Sequence, residues 1–179
     1  MSLVWIASQS VGAGGASSVT FSSIPSTFTH LQIRVSARTG AGYESDGCNI
    51  RFNNDSTNSY VVHFLQGDSV NASSSNATAQ QSLYIAGRLP GSTVTASVFG
   101  SVVADILDYT NTSKNKTVRS ISGFDTNNTS AVVRVAMMSG LWVNTSAISQ
   151  IEILANNGGF VQYSRFDLYG ITSSQVTGA

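Results

Sequence analysis

A chain of 179 residues is long enough to build one domain around its own core, and 10% charged residues is far below the usual share for a soluble domain. Nine basic and nine acidic side chains cancel, so the electrostatic footprint of a nucleic-acid binder is absent. A single cysteine, Cys48, excludes an internal disulfide framework and a cysteine-rich metal site.

Ser, Thr and Asn fill about a third of the chain, giving a polar surface that is solvated without charge. Eight Asn-x-Ser/Thr triplets begin at Asn54, Asn71, Asn76, Asn111, Asn115, Asn127, Asn128 and Asn144. A chain so rich in these residues makes such triplets by chance, and the start lacks the basic n-region of a signal peptide, so they are not read as glycan acceptors. No apolar run reaches the ~20 residues a transmembrane helix needs.

Leu3 to Ala7 is a short apolar run, followed by the flexible Val11-Gly-Ala-Gly-Gly-Ala-Ser17. Residues 1–17 therefore read as an N-terminal arm with a Gly-rich linker, the arm being either an edge strand or a segment that adds to a neighbour's sheet. Residues 18–179 read as a single β-sandwich domain. Gly12, Gly14 and Gly15 precede no helix, so they do not form a phosphate cradle.

Ser18 to Phe21 is a strand ended by Ile24-Pro25. From Thr29 to Arg38 the chain alternates cleanly, with Leu31, Ile33, Val35 and Ala37 on one side and Gln32, Arg34, Ser36 and Arg38 on the other, the period-two signature of a strand with one dry face. Further strands are expected over Cys48–Asn53, Tyr60–Gln66, Ser82–Ala86, Ala96–Tyr109 (with a bulge at Gly100), Lys116–Phe124, Ala131–Val143, Ala147–Leu154 and Phe160–Ile171. Gly67 to Ala79 has no periodicity and reads as a long loop, and Gly87 to Gly91 as a turn. Asn156-Asn-Gly-Gly159 reads as a hairpin signal. The expected fold is all-β, an antiparallel, jelly-roll-like sandwich of about ten strands.

Chemistry is sparse. His30 and His63 share no metal-ligand spacing. Asp46, Asn53, Asn54 and Asp55 are close in sequence without a calcium-loop pattern. Asp105 and Asp108 are expected on opposite sides of a strand, leaving Glu44, Glu152 and Asp167 as other acids, and no pair is evident. No catalytic, cofactor-binding or metal residue is expected, and the chain is not read as an enzyme. Tyr43, Tyr60 and Tyr163 lie near loops, where an exposed ring offers a stacking surface for a sugar.

Taken together, Phe21-Ser-Ser-Ile-Pro-Ser-Thr-Phe-Thr-His-Leu-Gln-Ile-Arg34, Ile50-Arg-Phe-Asn53, Asp105-Ile-Leu-Asp-Tyr109 with Lys116-Thr-Val-Arg119, Ser139-Gly-Leu-Trp142 and Phe166-Asp-Leu-Tyr-Gly-Ile171 resemble a β-rich structural protein of tailed-bacteriophage virions. The resemblance spans Val19 to Ile171 and carries no catalytic residue with it. It implies a virion component made in the host bacterial cytoplasm and displayed on the particle surface. The leading expectation is a capsid decoration (cement) protein, a homo-oligomer such as a trimer, whose partner is the major capsid protein. The alternative is a receptor-binding module of a tail or head fibre, meeting a host surface glycan through Tyr43, Tyr60 or the segment Gly67–Ala79. Neither nucleic acid nor membrane is an expected partner.

Overall fold

The computed structural model describes residues 2–126 and 133–172, and within them the chain forms twelve strands. These are β1 (Ser2–Ser10), β2 (Ser18–Phe21), β3 (His30–Ala37), β4 (Ser45–Phe52), β5 (Tyr60–Gly67), β6 (Ala72–Gln80), β7 (Leu83–Pro90), β8 (Gly100–Leu107), β9 (Lys116–Phe124), β10 (Arg134–Trp142), β11 (Ile151–Ala155) and β12 (Arg165–Thr172). They pair antiparallel in two sheets. The larger has the order β1-β12-β3-β8-β9-β10-β5-β6 and the smaller β2-β11-β4-β7. The all-β sandwich expected from the alternation is the fold, with twelve strands instead of about ten.

One apolar core lies between the sheets. The large sheet contributes Leu31, Ile33, Val35, Val102, Ala104, Ile106, Val118, Met138, Phe166 and Leu168, every second residue of its strands. The small sheet answers with Val19, Phe21, Cys48, Ile50, Phe52, Leu83, Ile85, Ile151 and Ile153. Burying each large aliphatic or aromatic side chain here is worth about 2 kcal/mol. Where the sheets come closest, side chains shrink. A Cβ on Gly140 would meet Leu83 Cδ1 at 2.3 Å, and one on Gly100 would meet Leu89 and Pro90 at 2.9 Å. Gly100 is therefore a point of close approach; its strand runs in continuous register with β3 and β9, without the expected bulge.

Residues 2–10 form β1, which runs along β12 from Ser2 opposite Thr172 to Ser10 opposite Arg165. The glycine-rich stretch behind it is tied down. Val11 is buried, its N–H donates to the Ser164 carbonyl, and Ala16 exchanges backbone hydrogen bonds with Phe160.

Three expectations are corrected. Residues 72–80 are not loop but edge strand β6, paired with β5. Its Ser-, Thr- and Asn-rich sequence lacks periodicity because it is exposed along most of its length, held by the ladder to β5 with only Ala77 packed against the core. Residues 87–90 continue β7 instead of turning. Gly87 is needed there because a Cβ would press on Met138 Cε at 3.0 Å and Ala136 Cβ at 3.3 Å. Residues 156–159 make no hairpin, since β11 and β12 lie in different sheets and this turn carries the chain between them.

Candidate functional site

The residues singled out for chemistry are dispersed by the fold, and most of them acquire a structural partner. His30 Nδ1 accepts the Asp108 backbone N–H at 2.9 Å, fastening the turn after β8. Asp108 itself stands in that turn, bound to Lys114, while Asp105 lies on β8 and pairs with Arg119 at 2.9 Å and Gln32 at 2.8 Å. Asp46 accepts from Gly47 N at 2.9 Å, Asn157 N at 3.0 Å and Asn157 Nδ2 at 2.8 Å, anchoring the turn between the sheets. Asn53 Oδ1 instead accepts the N–H groups of Ser149 and Gln150, and Asp55 serves the β4–β5 connection, so these four residues do not converge on one ion. Among the described residues no three His, Cys, Asp or Glu side chains are placed to hold a metal ion. Glu152 pairs with Arg51 at 3.1 Å and Asp167 with Arg165 at 3.0 Å.

The aromatic candidates separate. Tyr60 is fully buried against Phe52 and Trp142, and its hydroxyl accepts the Phe52 N–H at 3.0 Å while donating to the Asp55 carbonyl. Burial pushes its phenol up to about 12. It cannot meet a sugar, which corrects that expectation; Tyr43 and Tyr163 are both well exposed. Cys48 is buried in the core.

Two cations have an unexpected role. Arg38, buried at the end of β3, donates from its guanidinium to the carbonyls of Ser92, Val94, Thr95 and Val98, and so shapes the whole β7–β8 loop. Lys116 is fully buried and spends its ammonium on the carbonyls of Asn111 (2.6 Å), Lys114 (3.0 Å) and Thr145 (2.9 Å). Burial lowers both groups' pKa values. Neither is available for chemistry.

The outer face of the large sheet is different, because none of the described residues covers it. Register places Arg34, Val103, Ile121, Met137 and Leu65 in one row across β3, β8, β9, β10 and β5. Val103 (41% exposed), Ile121 (58%), Met137 (50%) and Leu65 (52%) form an apolar band, extended by Val135 (62%). Exposed apolar side chains gathered in neighbouring register positions, instead of scattered singly, are the kind of surface a partner can cover. The same row turns polar on the other side of Val103, where Arg34 stacks over Tyr169 at 5.2 Å and Ser8 donates to Asp167 at 2.5 Å. The adjacent row is polar along its middle, with Gln32, Asp105, Arg119, Ser139 and His63. An apolar patch with a polar rim is the anatomy of a protein interface.

Sequence reading missed this patch because β9 has an inverted pattern. Its core-facing residues include Lys116, Ser120 and Ser122, and its outward residues include Ile121. Only the cross-strand register identifies which side Ile121 takes. The triplets at Asn127 and Asn128, and the start of the strand expected from Ala131, lie outside the described residues. Comparison of the chain with protein-family models, with curated proteins and with solved structures gave no match.

Proposed function

We propose that this chain is a structural subunit of a tailed-bacteriophage particle, a capsid decoration protein that seats on the major capsid protein and bridges neighbouring coat subunits. The observation that carries the reading is the apolar patch Val103-Ile121-Met137-Leu65-Val135, left exposed by the described residues and rimmed by polar side chains. It is supported by the resemblance of the strand phrases to β-rich virion proteins and by the low-charge composition, which lets like subunits pack closely without repulsion.

In this reading the patch buries against the coat, and a symmetric oligomer, a trimer, presents several copies at once. Simultaneous engagement raises the effective concentration of each further contact, so separating two coat subunits requires breaking the cement contacts as well. No bond is made or broken, and the protein acts by mass action alone.

The test is binding to undecorated shells of the parent phage by co-sedimentation, for the wild-type chain and for Ile121→Lys and Met137→Glu. Both substitutions sit on an exposed face and should leave unfolding nearly unchanged, within about 0.5 kcal/mol, while weakening shell binding at least about tenfold. A variant that decorates shells as well as the parent rejects the patch as the docking face. A virion that holds a dozen copies or fewer rejects the shell assignment altogether.

A further inference from the structure

Among the described residues, nearly every charged side chain is committed to an ion pair or a hydrogen bond. The exceptions are Arg88 and Glu44, and the two line the same cleft. It opens where the ends of β4 and β7 meet the start of β10, and Gly42, Tyr43, Ser45, Thr93, Asn157 and Arg134, the last paired with Asp68, complete its lining. A second cleft adjoins it along β7 and also uses Arg88, with Tyr84, Phe64, Gln66, Gln80 and Asn156 around it. The two meet at Arg88 and make one groove, whose Phe64, Gln66, Arg134 and Met138 alternate along β5 and β10 with the patch residues Leu65, Val135 and Met137, so groove and patch use opposite faces of the same strands.

The groove is built, not incidental. Its Tyr43–Glu44 wall is clamped from both ends by positions that only glycine fits. A Cβ on Gly158 would meet Ala41 N at 1.9 Å, and one on Gly91 would meet the Tyr43 carbonyl oxygen at 2.0 Å. Backbone bonds from Gly91 N to Glu44 O (3.0 Å) and Ser92 N to Ala41 O (2.8 Å) lock the wall in place. The loop that bears Thr93 is held from beneath by the four carbonyl contacts of Arg38. Asn157 is oriented by Asp46, and Asn156 Oδ1 by Asn49 Nδ2 at 2.7 Å. Yet Tyr43, on this rigid wall, leaves 64% of its surface in water.

We infer that this groove is a binding site for an oligosaccharide. A sugar has an apolar ring face for the exposed Tyr43, and hydroxyls that both donate and accept. Glu44 takes the donated hydrogens, and Arg88 supplies them to ring, hydroxyl or carboxylate oxygens. The amides of Gln66, Gln80, Asn156 and Asn157 serve either role. Two unpaired opposite charges flanking an exposed aromatic, continued by an amide-lined cleft, suit a chain of several sugar units better than a compact ion. Pre-fixed walls reduce the ordering cost of binding. The inference does not rest on the shell assignment, because no residue of the patch lines the groove.

Saturation-transfer NMR tests it with the full chain and a panel of maltohexaose, cellohexaose, chitohexaose and hexagalacturonate, with a zwitterionic hexapeptide of Gly and Ser as the competing class. The expected result is saturable binding of at least one saccharide. Arg88→Ala and Tyr43→Ala should each weaken it about tenfold or more, and Glu44→Gln should weaken it less. The saccharide arms separate neutral from acidic sugars. The inference is overturned by the absence of saccharide binding at ~10 mM, by binding that Arg88→Ala and Tyr43→Ala both leave unchanged, or by binding of the peptide alone. Shell binding by Arg88→Ala should equal that of the parent chain, which keeps this result distinct from failure of the decoration reading.

Discussion

Trp142 donates its indole N–H to Asp55 Oδ2 at 2.7 Å, tying the end of β10 to the connection between β4 and β5. The same carboxylate accepts from Thr57 N at 2.9 Å and Ser59 Oγ at 2.7 Å. Partial burial works to raise its pKa, but the hydrogen bonds from Thr57, Trp142 and Ser59 outweigh it and hold the group at about 2. The folded value lies below the ordinary unfolded one of about 3.9, so the stabilisation is fully present above that pH and is lost as pH falls toward 2. Asp55→Ala should lower stability by on the order of 2 kcal/mol at pH 6, and the gap to the parent should narrow at pH 2.5. Urea unfolding at the two pH values measures it; a gap that does not change with pH rejects the role of the charge.

Lys116 closes three loop carbonyls with one ammonium inside the protein. Removing it leaves buried acceptors without a donor, at a cost of about 2–4 kcal/mol. Lys116→Ala and Lys116→Met should both lower the urea midpoint, because methionine restores the stem but not the N–H donors. If Lys116→Met matches the parent, packing of the stem is what matters.

Gly140 faces Leu83 so closely that an added methyl overlaps the leucine side chain. Gly140→Ala should destabilise by about 1–3 kcal/mol, and Leu83→Ala alone by about 2–5 kcal/mol through the cavity it leaves. In the double variant the new methyl enters that space, so the combined loss should fall short of the sum by 1 kcal/mol or more, on the order typical for residues in contact. Simple additivity in a thermal unfolding cycle would refute the contact.

Cys48 is sealed in the core, and burial together with the neighbouring charge of Asp46 pushes its thiol well above the normal range. Since the thiolate is the nucleophile, the native protein should resist a thiol-specific disulfide reagent for hours at pH 8 and react within minutes in urea. Rapid labelling without denaturant would contradict the burial.

Much of the sandwich was legible because its strands obey period two with apolar residues inward. Ser18–Phe21 and Lys116–Phe124 have the bounds read from sequence, and Leu31, Ile33, Val35 and Ala37 all face the core. What escaped notice was set by neighbours distant in sequence. β6 has no apolar signature because it pairs while packing little more than Ala77 on the core, and Gly87 to Pro90 contains turn residues yet extends a strand that passes close to Met138. Arg38 sits at a position that alternation assigns to the wet side, but the β7–β8 loop folds over it. Of the candidate sites, Tyr43 was visible as a loop aromatic; the unpaired state of Arg88 and Glu44 beside it was not, since pairing depends on every other charge in the fold.

The outer patch draws its residues from β5, β8, β9 and β10, with Leu65, Val103, Ile121, Met137 and Val135 brought together by strand register alone. No segment of the chain contains it. A peptide copied from any one of these strands would therefore fail to compete for whatever the patch binds, and antibodies raised against such a peptide would miss the folded surface. An unfinished chain likewise has nothing to offer a neighbour until four strands have aligned. Any recognition through this patch is thus withheld until the four strands have folded together.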